Sequence, residues 1–220
     1  MKNICAIRHL CRANFNEYLH KALESVPVVV NADVMDLGCG TGASTMEMLR
    51  CTEYRMTAVD PDQEALAILQ AEIDKSDFGS RITIINEAAE TLQIPEKHFY
   101  IIIAEGLFNI IGFTNGLSLA SRYLKPRGYM IIHDELDDEV RKTQLFAEFG
   151  FTLITSFVLD ETIWMDKYII CLEKQIAELG PQGPDYAEGD ETWQQVMAEI
   201  RMYKENPERF RSIYYVVRKC

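Results

Sequence analysis

Long hydrophobic runs are missing from this 220-residue chain. No apolar stretch approaches the roughly 18 residues that a membrane span needs, so no membrane partner is expected. Met1-Lys2-Asn3-Ile4-Cys5-Ala6-Ile7-Arg8-His9 also lacks the sustained apolar region of a signal peptide. Positive charge is scarce: 22 Lys and Arg stand against 34 Asp and Glu, a net charge of −12. Such a surface repels phosphate backbones, which argues against nucleic acid as a partner. The six cysteines (Cys5, Cys11, Cys39, Cys51, Cys171, Cys220) contain no CxxC pair. Neither a zinc site nor a disulfide framework is therefore expected, and no metal is predicted. Reduced thiols agree with a cytoplasmic address. Cys39 reads as a small residue that fits its turn rather than as a reactive thiol.

What is present is ordinary globular composition, 48% hydrophobic and 25% charged. The length suits one α/β domain over residues 1–220 with an insertion, rather than two independent domains. Acidic clusters lie at Asp134-Glu135-Leu136-Asp137-Asp138-Glu139 and from Asp185 to Glu191. Acids suit helix starts, which accounts for most of them. The sharper reading is a small-molecule substrate that is cationic or an amine. The oligomeric state stays open, a homodimer being one option.

One stretch organises the rest: Val34-Met35-Asp36-Leu37-Gly38-Cys39-Gly40-Thr41-Gly42. A short apolar run ends in an acid, three glycines follow at alternate positions, and Ala43 to Leu49 reads as a helix. Glycine permits φ > 0 and lets a ligand lie against the backbone. The helix start behind the turn offers free N–H groups to an anionic ligand group. The stretch is built to hold a cofactor with a carboxylate or phosphate.

Around it, strand and helix alternate. A one-sided helical spacing runs from Ala13 to Glu24, ended by Pro27. Strands are predicted at 28–30 with 32–37, 54–59, 81–85, 99–104, 129–132 and 151–159, with helices between them. Gly112 to Leu124 and Val140 to Phe149 are two of these helices, and Lys125-Pro126-Arg127-Gly128 is turn chemistry. The last strand is Ile213 to Val217. The pattern predicts a doubly wound, seven-stranded, mostly parallel sheet. Residues 162–210 read as a helical insertion before the last strand and a possible lid, with a Pro/Gly/acid loop at 181–190. Asp36, Asp60, Glu105 and Asp134 fall at or just after four strand ends, which suggests one shared cleft at the carboxyl edge.

Asp36-Leu37-Gly38-Cys39-Gly40-Thr41-Gly42 resembles the first motif of class I S-adenosylmethionine-dependent methyltransferases. Asp60, after the second strand, matches their ribose-binding acid. Leu124-Lys125-Pro126-Arg127-Gly128 is similar to their Leu-Lys-Pro-Gly-Gly turn. Glu105-Gly106, Asn109-Ile110, Gly112-Phe113 and Phe157 to Trp164 resemble a bacterial subgroup acting on small molecules. The resemblance implies a Rossmann-like methyltransferase fold, S-adenosylmethionine as cofactor, and methyl transfer by in-line displacement. It implies cofactor contacts at Asp36, Gly38, Gly40, Thr41, Asp60, Pro61 and Glu105. The family's adenine-binding acid falls on Ala88 here, a departure, so Glu87 substitutes or Ala88 and Ala89 act through the backbone.

Methyl transfer from a sulfonium needs orientation and dryness more than a dedicated catalytic group. The candidates for catalysis are Glu105, His133 and Asp134. His133, with an ordinary pKa near ~6.5, suits a base, and Glu105 suits the methionine end of the cofactor. Tyr214 and Tyr215 read as packing in the last strand. Two rivals remain. Gly38-x-Gly40-x-x-Ala43 also meets a loose dinucleotide fingerprint, as in a nicotinamide-linked oxidoreductase. A non-catalytic cofactor-binding subunit is the other.

Overall fold

In a computed structural model, residues 4–179 and 191–220 are described. Helix α1 (Ile4–Arg12) leads through a short 3₁₀ turn to α2 (Asn16–Leu23). The alternating core follows: β1 (Asp33–Leu37), α3 (Ala43–Cys51), β2 (Arg55–Val59), α4 (Gln63–Ile73), β3 (Ile82–Ile85) and β4 (Phe99–Glu105). Then come α5 (Phe108–Ile111), α6 (Phe113–Tyr123), β5 (Leu124–Glu135), α7 (Glu139–Glu148) and β6 (Phe151–Leu159). A helical run of α8 (Glu161–Trp164), a π turn (Met165–Ile169) and α9 (Ile170–Glu178) precedes α10 (Glu191–Glu205). A 3₁₀ turn (Pro207–Phe210) delivers the chain to β7 (Ser212–Lys219).

The seven strands form one sheet in the order β3-β2-β1-β4-β5-β7-β6. All neighbours are parallel except those of β7, which runs antiparallel between β5 and β6. This is the mostly parallel, doubly wound sheet that the alternation predicts. Ile101 to Ala104 of β4 are fully buried, as a strand covered on both faces requires. The period of two sorts side chains between the layers. Val34, Ile101, Ile103, Ile131, Tyr214 and Val216 face the layer that holds α1, α3, α9 and α10. Met35, Leu37, Ile102, Ala104, Ile132 and Tyr215 face α6 and α7.

Four local expectations are corrected. Residues 28–30 form no strand; Val28 and Val30 stay exposed, so apolar character there is not burial. Residues 4–12 form a helix that was not predicted, with Ile4, Ile7 and Cys11 buried on one face. β5 begins at Leu124 and absorbs the expected turn through a register shift between Phe99 and Ile101 of β4. Finally, Cys11 and Cys171 are joined by a disulfide, with Cα atoms 5.6 Å apart. The two lie 160 residues apart in sequence, and packing of α1 on α9 brings them together. The pairing removes the cysteine argument for a reducing compartment. The loop expected at 181–190 lies outside the described residues.

Candidate functional site

The glycine turn is locked from below and open from above. Gly38, Gly40 and Gly42 have φ of +77°, +52° and +81°. The N–H groups of Gly38 and Cys39 donate to the Val59 carbonyl at 2.8 and 3.1 Å, fixing the turn to the end of β2. Gly40 N–H donates to Asp60 Oδ2 at 2.8 Å, and Asp60 Oδ1 accepts from Asp62 N–H at 2.9 Å. Asp62, not Asp60, caps α4, accepting from Glu64 and Ala65. A Cβ at Gly40 would meet nothing within 4 Å, so this backbone faces open space. A Cβ at Gly42 would come within 2.4 Å of Leu69.

That open space is a cavity of about 280 Å³, lined by Gly38 to Thr41, Asp36, Ser44, Glu105 and His133 below and by Arg8 and Arg12 above. Asp36 is buried and accepts a 2.5 Å hydrogen bond from Thr45 Oγ1. Burial raises its pKa to about 7 despite that bond, with Glu105 and Asp60 adding to the rise. Glu105, the last residue of β4, is held at both oxygens. Tyr214 donates to Oε1 at 2.5 Å, and Ser44, in the first turn of α3, donates to Oε2. Tyr214 is fully buried, and burial with the adjacent Glu105 pushes its hydroxyl pKa well up.

Helix α1 roofs the cavity. His9 Nδ1 lies 3.0 Å from Thr41 Oγ1, tying the helix to the glycine turn. Arg8 and Arg12 are one helical turn apart and share a face. Burial pulls the Arg8 pKa down, but Tyr168 and Glu199 more than offset it. The Arg12 guanidinium lies over the rings of Trp164 and Tyr168, 5.3 Å from each centroid.

The sequence-predicted residues divide. Asp36, Gly38, Gly40, Thr41, Glu105 and His133 meet at this cavity, and Asp134 does not. His133 and Asp134 are neighbours on β5 and so point to opposite faces. His133 Nε2 is 2.8 Å from Ser212 Oγ, to which Trp164 Nε1 donates at 2.9 Å, and its ring stacks on Tyr214 at 4.2 Å. Burial, then Arg12, lowers its pKa to about 3, so the ring is neutral and resists a proton. Asp134 turns to α7, where its Oδ2 sits 2.8 Å from Lys142 Nζ. Asp137 pairs with the same Lys142, so part of the acidic stretch is spent locally. Asp60 is half-buried beneath the turn, Pro61 and Glu87 are exposed, and Ala89 packs into the apolar layer. None of these four, nor Ala88, lines the cavity. Asn86 Nδ2 donates to the Asp60 carbonyl at 3.1 Å, joining the ends of β2 and β3.

Ser44, Thr45, Tyr214, Arg8 and Arg12 were missed. The two arginines carried a signal, their one-turn spacing beside buried Ile4, Ile7 and Cys11. Tyr214 carried none, since Glu105 lies 109 residues away.

A second cavity, about 440 Å³, adjoins the first and shares Arg12, His133 and Gln195 with it. It opens between Gly106, the end of β5, α10 and the Pro207–Phe210 turn.

Residues 34–128 match a family model described as a methyltransferase domain. Over that segment the chain is similar to methyltransferase domains, in line with the resemblance carried by the glycine turn and Asp60. The matched segment runs from the glycine strand through the turn before the core of β5. A ubiquinone/menaquinone biosynthesis C-methyltransferase of Geobacter sulfurreducens is 29% identical over 116 residues, 51% of this chain and 44% of that protein. The chain spans about half the length of the curated relatives it matches (44%, 56% and 54%). Among solved structures, the cyclopropane synthase MmaA2 of Mycobacterium tuberculosis superposes with a TM-score of 0.76 at 14% identity, covering 93% of this chain and 84% of that one. A Haemonchus contortus phosphoethanolamine N-methyltransferase solved with S-adenosyl-L-methionine gives 0.71 at 13% identity, covering 99% and 57%. These structures share the fold of this chain.

Proposed function

We propose that this chain transfers a methyl group from S-adenosylmethionine to a small-molecule acceptor. The observation that carries the reading is the convergence of Asp36 and Glu105 on a cavity whose glycine backbone is open, with Asp60 holding that backbone from beneath. A buried carboxyl, Asp36, whose pKa is raised by burial and by neighbouring carboxylates favours a cationic ligand. S-adenosylmethionine brings a sulfonium and an ammonium, and when bound it supplies a methyl group already activated for in-line displacement.

The protein's part is to hold and orient. The Gly38–Gly42 backbone admits close approach. Asp36 and Glu105 accept from the ligand's ammonium. Glu105 already takes the start of α3 through Ser44, so the ligand's carboxylate pairs with Arg8 on the roof. Asp60 keeps lone pairs beyond those used by Gly40 and Asp62, enough for ribose hydroxyls. Glu87, Ala88 and Ala89 flank the adenine end. His133, neutral and wedged against Tyr214, is a wall between the two cavities, and Asp134 holds Lys142. Catalysis then rests on orientation and exclusion of water rather than on a dedicated base.

Calorimetry tests the donor assignment. S-adenosylhomocysteine should bind with micromolar affinity and NADH should not; the reverse result overturns it. Labelled methyl transfer to a broad acceptor panel tests the activity. Tight S-adenosylhomocysteine binding with no transfer to any acceptor would mean a cofactor-binding subunit instead.

A further inference from the structure

We infer that the second cavity is the acceptor site and that it selects acceptors carrying a carboxylate or phosphate on an apolar body. The inference rests on the methyltransferase reading above. The cavity is of small-molecule size and meets the donor cavity at Arg12 and His133. Trp164, Met202 and Phe210 give it apolar walls.

Its charges decide the class of ligand. Six charged groups line it, and most are spent within the protein. Asp134 pairs with Lys142, and Glu199 faces Arg8 while accepting from Tyr168 Oη at 3.2 Å; Glu135 takes only a neutral hydrogen bond, from Asn109 at 3.3 Å. Arg211 lies 3.7 Å from Glu161. Among the described residues, Arg12 and Arg209 are left without a carboxylate partner. Arg12 is half-buried, and its guanidinium sits over two aromatic rings, 5.3 Å from each centroid. A planar, weakly hydrated fork suits bidentate binding of a carboxylate or phosphate. A partly desolvated cation with no counter-ion is unfavourable until an anion arrives. An amine acceptor would face both guanidiniums with Glu135 alone to draw it, so an anion is favoured.

The test titrates the protein, preloaded with S-adenosylhomocysteine, with four probes sharing one ring: phenylacetate, phenyl phosphate, phenylacetamide and phenethylamine. The anions should bind at least about tenfold more tightly than the amide and the amine, as expected for a desolvated bidentate contact. Whichever anion binds better identifies the group recognised. Arg209→Gln, at an exposed position, and Arg12→Gln should each remove most of that gap. Arg12→Lys should restore only part of it, since it keeps charge without the fork. S-adenosylhomocysteine affinity should stay within about threefold for Arg209→Gln, which lies outside the donor cavity. Failure of both anions to bind, parity of the amide or amine with the better anion, or a gap that survives both variants overturns the inference. So does an Arg12→Gln variant that weakens S-adenosylhomocysteine while leaving the gap, because Arg12 would then serve the donor's carboxylate. Failure of the methyltransferase reading shows earlier and separately, as no S-adenosylhomocysteine binding by the unaltered protein, and takes the inference with it.

Discussion

The floor and the roof of the donor cavity are built on different principles. The floor is backbone and short carboxylates at the ends of β1, β2 and β4, each group held by one or two hydrogen bonds. It lies inside the segment that matches the methyltransferase domain. The roof is α1 with α8 to α10, made of arginines and stacked aromatics, and joined by one disulfide. It lies outside that segment. The floor has little freedom to vary, because a turn with three positive-φ glycines tolerates few side chains. The roof has much more, because aromatic packing accepts many arrangements of similar volume. On the reading proposed above, the floor supplies most of the donor contacts, with Arg8 the roof's share, and the roof sets acceptor choice.

The largest break should come from the floor. Gly40→Val puts a β-branched residue at φ +52° and fills the open face of the turn. S-adenosylhomocysteine affinity should fall by more than about 100-fold, while the backbone strain alone lowers stability by only about 1–3 kcal/mol. Calorimetry beside a thermal melt separates the two. Retained affinity would mean that the ligand does not approach this backbone.

The corresponding break in the roof is the disulfide. Replacing Cys11 and Cys171 with serine should lower stability by about 2–4 kcal/mol, as removal of a long-loop disulfide does. A denaturant midpoint measures that loss. If the roof and floor are separable, S-adenosylhomocysteine affinity changes by no more than about threefold. A donor affinity that collapses with the disulfide would show that the bond is what holds Arg8 of α1 over the donor.

How much of this was readable beforehand follows the same division. The floor was legible because its signals are local. The glycine spacing, the acid that ends β1 and the apolar run of β4 each declare themselves within ten residues. The roof was not, because its contacts join distant segments. Arg12 meets Trp164 and Tyr168, and Cys11 meets Cys171, only after the helices pack. Asp134 misled because a strand end fixes a residue's height but not its face. His133 and Asp134 share a height, yet they leave β5 on opposite sides. Val28 to Val30 misled in another way, since apolar residues are not always covered.

A smaller effect sharpens the electrostatic side of the comparison. Asp36 has a pKa raised to about 7 by burial and its acidic neighbours. In the free protein, a raised carboxyl pKa gives stability that is full below the unfolded value near 4 and lost as pH rises through about 7. A cationic ligand favours the ionised form, so binding releases a proton and tightens as pH rises. S-adenosylhomocysteine, which keeps the ammonium, should bind about tenfold more tightly at pH 8 than at pH 6. Asp36→Asn should flatten the pH dependence of both stability and binding. Calorimetry in buffers of different ionisation enthalpy counts the proton. A flat profile in the unaltered protein would remove Asp36 from the ammonium role.

The finest test is at Tyr214, where floor and roof touch. Its ring stacks between His133 and Phe157, on the side of the acceptor wall, and its hydroxyl donates to Glu105 on the floor. Tyr214→Phe keeps the ring and removes only the donated hydrogen bond, a change of about 1–2 kcal/mol when one partner stays buried. If Glu105 holds the donor's ammonium, losing that anchor loosens the carboxylate, and S-adenosylhomocysteine affinity should fall by about fivefold to tenfold. Thermal stability should drop modestly, and the discrimination among acceptor probes should not change, because the wall facing the second cavity is intact. The opposite pattern, unchanged donor affinity with altered probe discrimination, would place Glu105 with the acceptor and erase the boundary drawn between the two halves of the site.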